Sequence, residues 1–498
     1  MSSAAIESLT PTAVWKIFAG IAAVPRPSKQ EARIRKHVRQ FAESQGLQVR
    51  EEQIGNLVID VPATKGHENA PVTVLQAHLD MVCEKNRDTQ HDFDHEGIKL
   101  RLDTDAKSGQ KIVRAEGTTL GADNGIGVAL ALAAATEKDV VHGPLELLLT
   151  IDEEAGMSGA KALTPTSFRG RRLLNLDSEE DNAIYIGCAG GCDTNLTWKL
   201  STSPADGSTT AYRVVVDGLR GGHSGSDIHE NRANAIKLVG RVLARVDQGT
   251  MRLVELVGGS KRNAIPRESH AVVFGPSGLL RVLQEAGSAV AAASRAESFE
   301  DGVRITVEQA GDTTPKVAAT ASETNALIAA IVALPSGVLG MHPRVPNLVQ
   351  TSNNVSTVDT RRGDDAIEIV VGCLSRSSSS SLLDLTARQI ASIGRLAGAT
   401  AEHGNTYPGW EPNPDSPTLA VCKRVYERLF KESPHILAIH AGLECGIIGE
   451  RVGQMDMVSF GPNITGAHSP DERVYVDSVA KSWKYLTAVL AELAKSAT

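Results

Sequence analysis

Four apolar runs stand out along the two ends of the chain: Val72–Leu79, Leu145–Ile151, Leu173–Leu176 and Met457–Phe460. Each is short and mostly apolar, which predicts a buried strand of a sheet. The helical stretch Gly125–Thr136 lies between the first two, as expected of an α/β fold with helices on both faces of the sheet. Ile34, Val38 and Phe41 fall on one side of a helix over residues 31–46, which Gly46 closes. The first three run directly into acidic residues, Asp80, Asp152 and Asp177, and the fourth leads to His468. Ligands of open α/β sheets bind beyond the carboxyl ends of strands, so polar clusters there carry more weight than loop charges.

The middle of the chain has another texture. From about Gly187 to His403 it carries alternating strands (Tyr212–Val216, Val303–Val307, Ala366–Val371), amphipathic helices (Asn234–Val246, Leu383–Leu396) and a serine run at 377–381. An inserted α+β domain over 188–403 is expected, which leaves a discontinuous first domain made of 1–187 and 404–498. The bend at 406–417 is dense in Pro and Gly, and the apolar-periodic helix Leu419–Leu429 resumes after it.

Length and charge narrow the classes without naming one. The 498 residues suffice for two or three domains with cores of their own, and the formal net charge is −8. No Lys/Arg-rich block offers the concentrated positive stripe that a nucleic-acid partner needs. The first residues lack the pattern of a secretory signal, and no window is apolar for long enough to span a membrane. The six cysteines are scattered and read as free, mostly buried thiols. A cytoplasmic protein with neither nucleic-acid nor membrane partners is expected.

Five segments at or near strand ends concentrate metal-binding side chains: His78-Leu-Asp80, Ala122-Asp123-Asn124, Asp152-Glu153-Glu154, Asp177-Ser-Glu179 and Ala467-His468-Ser-Pro-Asp-Glu472. Alone, each is more often a satisfied strand terminus or a solvated loop. Together, two histidines and several carboxylates suit one or two zinc-like ions, because zinc takes imidazole nitrogen and carboxylate oxygen.

His78-x-Asp80, Gly121-Ala-Asp123-Asn-Gly125, Asp152-Glu-Glu154, Leu176-Asp177-Ser-Glu179 and Gly466-Ala-His468-Ser-Pro resemble the five metal-site motifs of the M20 metallopeptidases. The longer strings PRPSKQE (25–31), GTTLGADNGIG (117–127) and AHSPDERV (467–474) resemble the branch of Xaa-His dipeptidases within that family. The resemblance implies a di-metal peptidase domain interrupted by a lid domain, and metal-dependent hydrolysis of short peptides. It implies two divalent ions per chain, zinc foremost, with manganese or cobalt as alternatives. His78 and Asp177 would hold one, Glu154 and His468 the other, and Asp123 would bridge them. Asp80 would sit behind His78 and fix its tautomer. In an extended segment neighbouring side chains diverge, so Glu153 would stay free of metal as general base while Glu154 binds it. In the insert, Gly221-Gly-His223-Ser-Gly225 resembles the lid segment whose histidine polarises the substrate carbonyl, and Asn263-Ala-Ile-Pro266 the lid strand near the substrate. Arg376 matches an arginine that takes the peptide's terminal carboxylate, a task suited to a forked guanidinium. Lid-mediated homodimers are common in the family.

Asp177 stands where carboxypeptidase-type members usually carry Glu, which favours dipeptidase or aminopeptidase chemistry. Another M20-type reaction, such as tripeptide aminopeptidase or amidohydrolase activity, is the runner-up. A non-catalytic peptide-binding relative would ordinarily show a broken ligand or base, and none is broken here. Three strings are decoys. Gln90–His95 (QHDFDH) is rich in His and Asp but has loop ligands only. Gly222–Ser226 is not a nucleophile elbow, because Ser stands where the second Gly is needed. Gly121–Gly127 lacks the glycine order of a dinucleotide site.

Overall fold

Every residue of the strands Thr73–His78 and Leu145–Thr150 is buried, so both faces of the sheet they form are covered. The computed structural model describes residues 3–204, 209–247, 249–311, 317–363, 366–440 and 442–495. The chain divides into one compact unit of 1–187, 412–438 and 443–498 and a second of 188–411 and 439–442.

The first unit is built on an eight-stranded mixed sheet. Its spatial order is Gln48–Glu51, Leu57–Val61, Leu145–Thr150, Thr73–His78, Arg172–Asn175, Asp456–Ser459, Ala183–Cys188 and His435–Ile439. The third to sixth of these are mutually parallel, the first two each run antiparallel to the next, and Ala183–Cys188 runs antiparallel to Asp456–Ser459. All four expected apolar runs are the four parallel strands, and their carboxyl ends therefore lie on one edge of the sheet. The helix Ala122–Thr136 packs on the Thr73–His78 strand and is buried almost all round, which accounts for its run of Ala, Val, Leu and Gly. Asp123 and Asn124 are not helical, so the regular helix begins at Gly125.

The helix Ala32–Ser44 buries Ile34, Val38 and Ala42, while Phe41 is only half-buried. Its end is a Schellman motif, in which Leu47 N–H donates to Ala42 O and Gly46 N–H to Glu43 O, with Gly46 left-handed at φ 77°. A second, four-stranded sheet joins Ile464–Thr465, Arg473–Tyr475, Lys111–Ala115 and Leu100–Thr104. It carries the Gly466–Glu472 loop between its first two strands.

The second unit is a ten-stranded sheet in which every registered pair is antiparallel, with four long helices. Tyr212–Asp217 alternates buried and half-buried positions, as expected of a sheet with one face toward a core. That core gathers Trp198, Val214, Leu238, Leu253, Leu283 and Ile369 among others. The boundary expected at 403/404 falls inside the strand Thr400–Tyr407. That strand pairs with Gly190–Pro204 and so belongs wholly to the second unit, which moves the boundary to 411. The serine run at 377–381 is not a linker: Ser377 ends a strand and Ser380 begins a helix.

Candidate functional site

Four loops at the carboxyl edge of the first unit's sheet, with the Gly466–Glu472 loop, bring His78, Asp123, Glu153, Glu154, Asp177 and His468 together. The two oxygens of Asp123 face different histidines. His78 Nε2 lies 3.1 Å from Asp123 Oδ1 and 3.3 Å from Asp177 Oδ1. His468 Nε2 lies 3.2 Å from Asp123 Oδ2 and 2.9 Å from Glu154 Oε2. Two overlapping groups result, His78 with Asp123 and Asp177, and His468 with Asp123 and Glu154; the donor atoms within each lie within 4.8 Å of one another. Donors bound tetrahedrally at about 2.0–2.1 Å from zinc stand roughly 3.3 Å apart, close to the spacings seen here. Asp177 Oδ1 and Glu154 Oε1 are buried without a hydrogen-bond partner among the described residues. The donor set therefore fits two divalent cations.

The electrostatics agree with that fit. Burial and the carboxylates around it push Asp177 up to about 6 and Glu179 up to about 8. Burial drives Glu153 well above the ordinary carboxylate range, with Asp177, Glu444 and Glu154 adding to it and His78 opposing it. Crowded buried carboxylates of this kind are what a bound dication relieves.

Asp80 does more than stand behind His78. Its carboxylate lies 3.4 Å from His78 Nδ1, outside hydrogen-bond geometry, and accepts from Ser28 Oγ at 2.7 Å, Glu153 N–H at 3.0 Å and Glu154 N–H at 3.1 Å. It anchors the turn that carries both glutamates. That turn departs from the extended segment expected: Asp152 is left-handed at φ 55°, and residues 153–156 turn. Glu153 and Glu154 consequently bring carboxylate oxygens within 4.8 Å of each other and of His78, rather than diverging.

The Peptidase family M20/M25/M40 model matches residues 74–492. The chain is also 40% identical over 489 residues to the cytosol non-specific dipeptidase of Escherichia coli, covering 98% of this chain and 99% of that protein. The chain belongs to this M20 peptidase family. Its structure superposes on aminoacylhistidine dipeptidase from Vibrio alginolyticus with a TM-score of 0.90, at 41% identity and 97% coverage of both chains. The aminopeptidase PepT of Bacillus cereus shares the fold, with a TM-score of 0.56 at 17% identity over 98% of this chain and all of that one.

The second unit of this M20 peptidase holds the other three expected residues. His223 and Asn263 are neighbours, since Gly222–His223 pairs with Ala264–Ile265 and Ser224 N–H donates to Asn263 O at 2.8 Å. His223 Nδ1 accepts from the backbone of Gly225 and Ser226 at 3.2 and 3.1 Å. The proton is thus left on Nε2, a free donor. Burial and the nearby charge of Arg376 hold His223 below its usual range, hence neutral. Arg376 is itself buried; Nη1 donates to Tyr407 OH at 2.9 Å, and Nε has no partner among the described residues. Gly191 makes room for this, because a Cβ there would lie 2.6 Å from the Tyr407 ring.

Glu444 and the polar row it caps are absent from the sequence reading. Gln76, Asn175 and Ser459 stand in register across three parallel strands, all fully buried, one layer below His78 and Asp177. Glu444 Oε2 accepts from Gln76 Nε2 at 2.7 Å and Thr150 Oγ1 at 2.6 Å. Asn175 Nδ2 donates to Gln76 Oε1, and Asn175 Oδ1 accepts from Ser459 Oγ and, at 3.3 Å, from Asp177 N–H. A lone Glu beside the apolar Cys445, Ile447 and Ile448 was the available signal. The His/Asp-rich loop at 90–95 contributes to none of the groups that could hold a metal among the described residues: His95 pairs with Asp92 at 2.8 Å, and His91 packs on Phe93.

Proposed function

We infer that the chain is a metal-dependent dipeptidase acting on Xaa-His and related dipeptides. The observation that carries this reading is the Asp123 carboxylate, each of whose oxygens faces a histidine with a further carboxylate beside it. The full-length likeness to a cytosol non-specific dipeptidase and an aminoacylhistidine dipeptidase supports the substrate class. His78 and Asp177 would hold one cation, His468 and Glu154 the other, and Asp123 would serve both. Zinc suits the donors, and manganese and cobalt accept the same set. When bound, the ions would acidify a shared water and polarise the scissile carbonyl.

The chain's own residues do the rest. Glu153, held on its turn by Asp80, takes the attacking water's proton and returns it to the leaving amine. Burial raises its carboxyl, which favours its taking the proton. His223 Nε2–H donates to the developing oxyanion, and Asn263 binds the substrate beside it. Arg376 receives the terminal carboxylate on the edge that Tyr407 leaves open.

Hydrolysis of a panel of free dipeptides, acylated amino acids and tripeptides, before and after metal stripping, tests the reading. Dipeptides should be cleaved best, activity should vanish on stripping, and zinc, manganese or cobalt should restore it. Undiminished turnover in strong chelator refutes the mechanism; preference for tripeptides or acyl amino acids moves the chain to another M20-type reaction. We further infer a cytoplasmic homodimer formed through the lid unit. The strand Gly337–Met341 pairs only with Val349–Arg362 among the described residues and exposes Val338, Leu339 and Met341, a free apolar edge. Light scattering showing a monomer at micromolar concentration would refute the dimer.

A further inference from the structure

The turn Leu120–Asp123, which carries the shared carboxylate, is gripped from two sides by buried charges. On one side Glu472 accepts four consecutive backbone N–H groups: Leu120 at 2.7 Å and Gly121 at 2.9 Å on Oε2, Ala122 at 2.8 Å and Asp123 at 3.2 Å on Oε1. On the other side Arg26 donates to Gly121 O, to Leu79 O at 2.9 Å and to Asp80 O at 2.7 Å. Both side chains are 2% exposed.

The glycines of the turn follow from this grip. Gly121 is left-handed at φ 69°, and a Cβ on it would stand 2.5 Å from Arg26 Nη2; one on Gly125 would stand 2.8 Å from the same nitrogen. The glycine-rich string is shaped around a guanidinium rather than a phosphate. Two further residues of the same N-terminal segment reach neighbouring loops: Ser28 bonds Asp80, and Glu31 Oε1 accepts Asp152 N–H at 3.0 Å.

We propose that Arg26 and Glu472 are positioning residues that clamp the Leu120–Asp123 turn and thereby fix where the shared Asp123 carboxylate stands relative to His468. Glu472 lies four residues beyond His468, so one side chain ties the loop of the exposed histidine to the turn of the bridging carboxylate. His78 needs no such tie, because it ends a buried strand and its backbone N–H is already held by Asn124 Oδ1 at 3.3 Å. Glu472 therefore serves the cation position that uses His468 far more than the one that uses His78, whereas Arg26 holds both sides. The inference rests on the di-metal reading.

The test is Zn²⁺ titration of the metal-stripped full-length protein against a chromophoric chelator, for wild type, Glu472→Gln, Glu472→Asp and Arg26→Lys. Gln can no longer accept four N–H groups, and its NH₂ opposes two of them. The second Zn²⁺ should bind roughly 10–100-fold more weakly in Glu472→Gln and the first within about threefold, the range known for groups that orient metal ligands. Arg26→Lys, which loses the fork on Gly121 O as well as on Leu79 O and Asp80 O beside His78, should weaken both Zn²⁺. With Mn²⁺, the wild type should give the electron paramagnetic resonance of a spin-coupled pair and Glu472→Gln that of isolated ions. If Glu472→Gln does not fold, Glu472→Asp, which keeps the charge but falls short of the turn, reads the same asymmetry. Equal weakening of both Zn²⁺ in the Glu472 variants, or none, overturns the clamp. A wild type that binds fewer than two Zn²⁺ overturns the di-metal reading and the clamp with it.

Discussion

Replacing Glu444 by Gln should stabilise the metal-free protein by about 2 kcal/mol at neutral pH and destabilise it by about 1 kcal/mol in acid. Burial pushes this carboxyl from its ordinary 4.5 up to about 8, against the hydrogen bond from Thr150 and the charge of His78, which favour the anion. The unfolded chain releases the proton above pH 4.5, whereas the folded chain keeps it to about pH 8. Between those values the folded state binds more protons, so stability is full below pH 4.5 and falls as pH rises toward 8. At about pH 7 the difference is about 2.5 pH units, and at about 1.36 kcal/mol per unit the cost is roughly 3 kcal/mol. Gln keeps the oxygen that accepts from Gln76 and Thr150 and puts its NH₂ where Oε1 lies buried without a partner. That unsatisfied group returns about 1 kcal/mol, leaving a net gain of about 2 kcal/mol. At roughly 2–4 °C per kcal/mol for a unit of this size, the first unit should melt about 4–8 °C higher. Calorimetry of metal-stripped wild type and Glu444→Gln at pH 4.5 and pH 7.5 reads this directly. The gain should appear only at the higher pH. An unchanged or lower Tm at pH 7.5 would show that Glu444 is ionised in the folded state and that the polar row is anchored by an anion.

Two further outcomes follow from the site. Glu153→Gln keeps the length of the side chain but cannot take a proton, so kcat should fall roughly 10²–10⁴-fold while metal content by elemental analysis stays at the wild-type value; near-normal kcat removes Glu153 as the base. Arg376→Ala should lower kcat/KM for free-acid dipeptides roughly 10–100-fold, the worth of a charged hydrogen bond, and leave the C-terminal amides within about threefold. Equal losses on acids and amides would give Arg376 a structural role.

The sheet of the first unit was legible because its central strands are buried on both faces and so read as short, mostly apolar runs. The inserted unit was legible as a change of texture, since an antiparallel sheet with one face toward its core alternates. Its end was not. Thr400–Tyr407 reads Thr-Ala-Glu-His-Gly-Asn-Thr-Tyr, with little apolar signal, because it pairs along the strand Gly190–Pro204 while exposing most of its side chains. Backbone pairing holds it in the second unit, and backbone pairing leaves no mark in hydropathy.

A similar limit applies to the residues around the metal-binding groups. His78, Asp123, Asp177 and His468 could be read because each sits in a short polar string at the end of an apolar run or in a motif of its own. The residues that orient them are scattered from position 26 to position 472 and act largely through backbone N–H and C=O groups, which every residue carries. Spacing says nothing about such contacts. The relation of Glu153 to Glu154 shows the consequence: alternation along an extended strand would separate them, but three donors to Asp80 and a left-handed Asp152 bend the segment so that both enter one space. Which of the two stays free as base is therefore decided by distance to His468 rather than by side-chain alternation. Glu154 Oε2 is 2.9 Å from His468 Nε2, and only Glu154 shares a donor group with His468 and Asp123. Moving that histidine, as the Glu472 variants should, would loosen the distinction between ligand and base, so their kcat should fall in step with the affinity of the second cation.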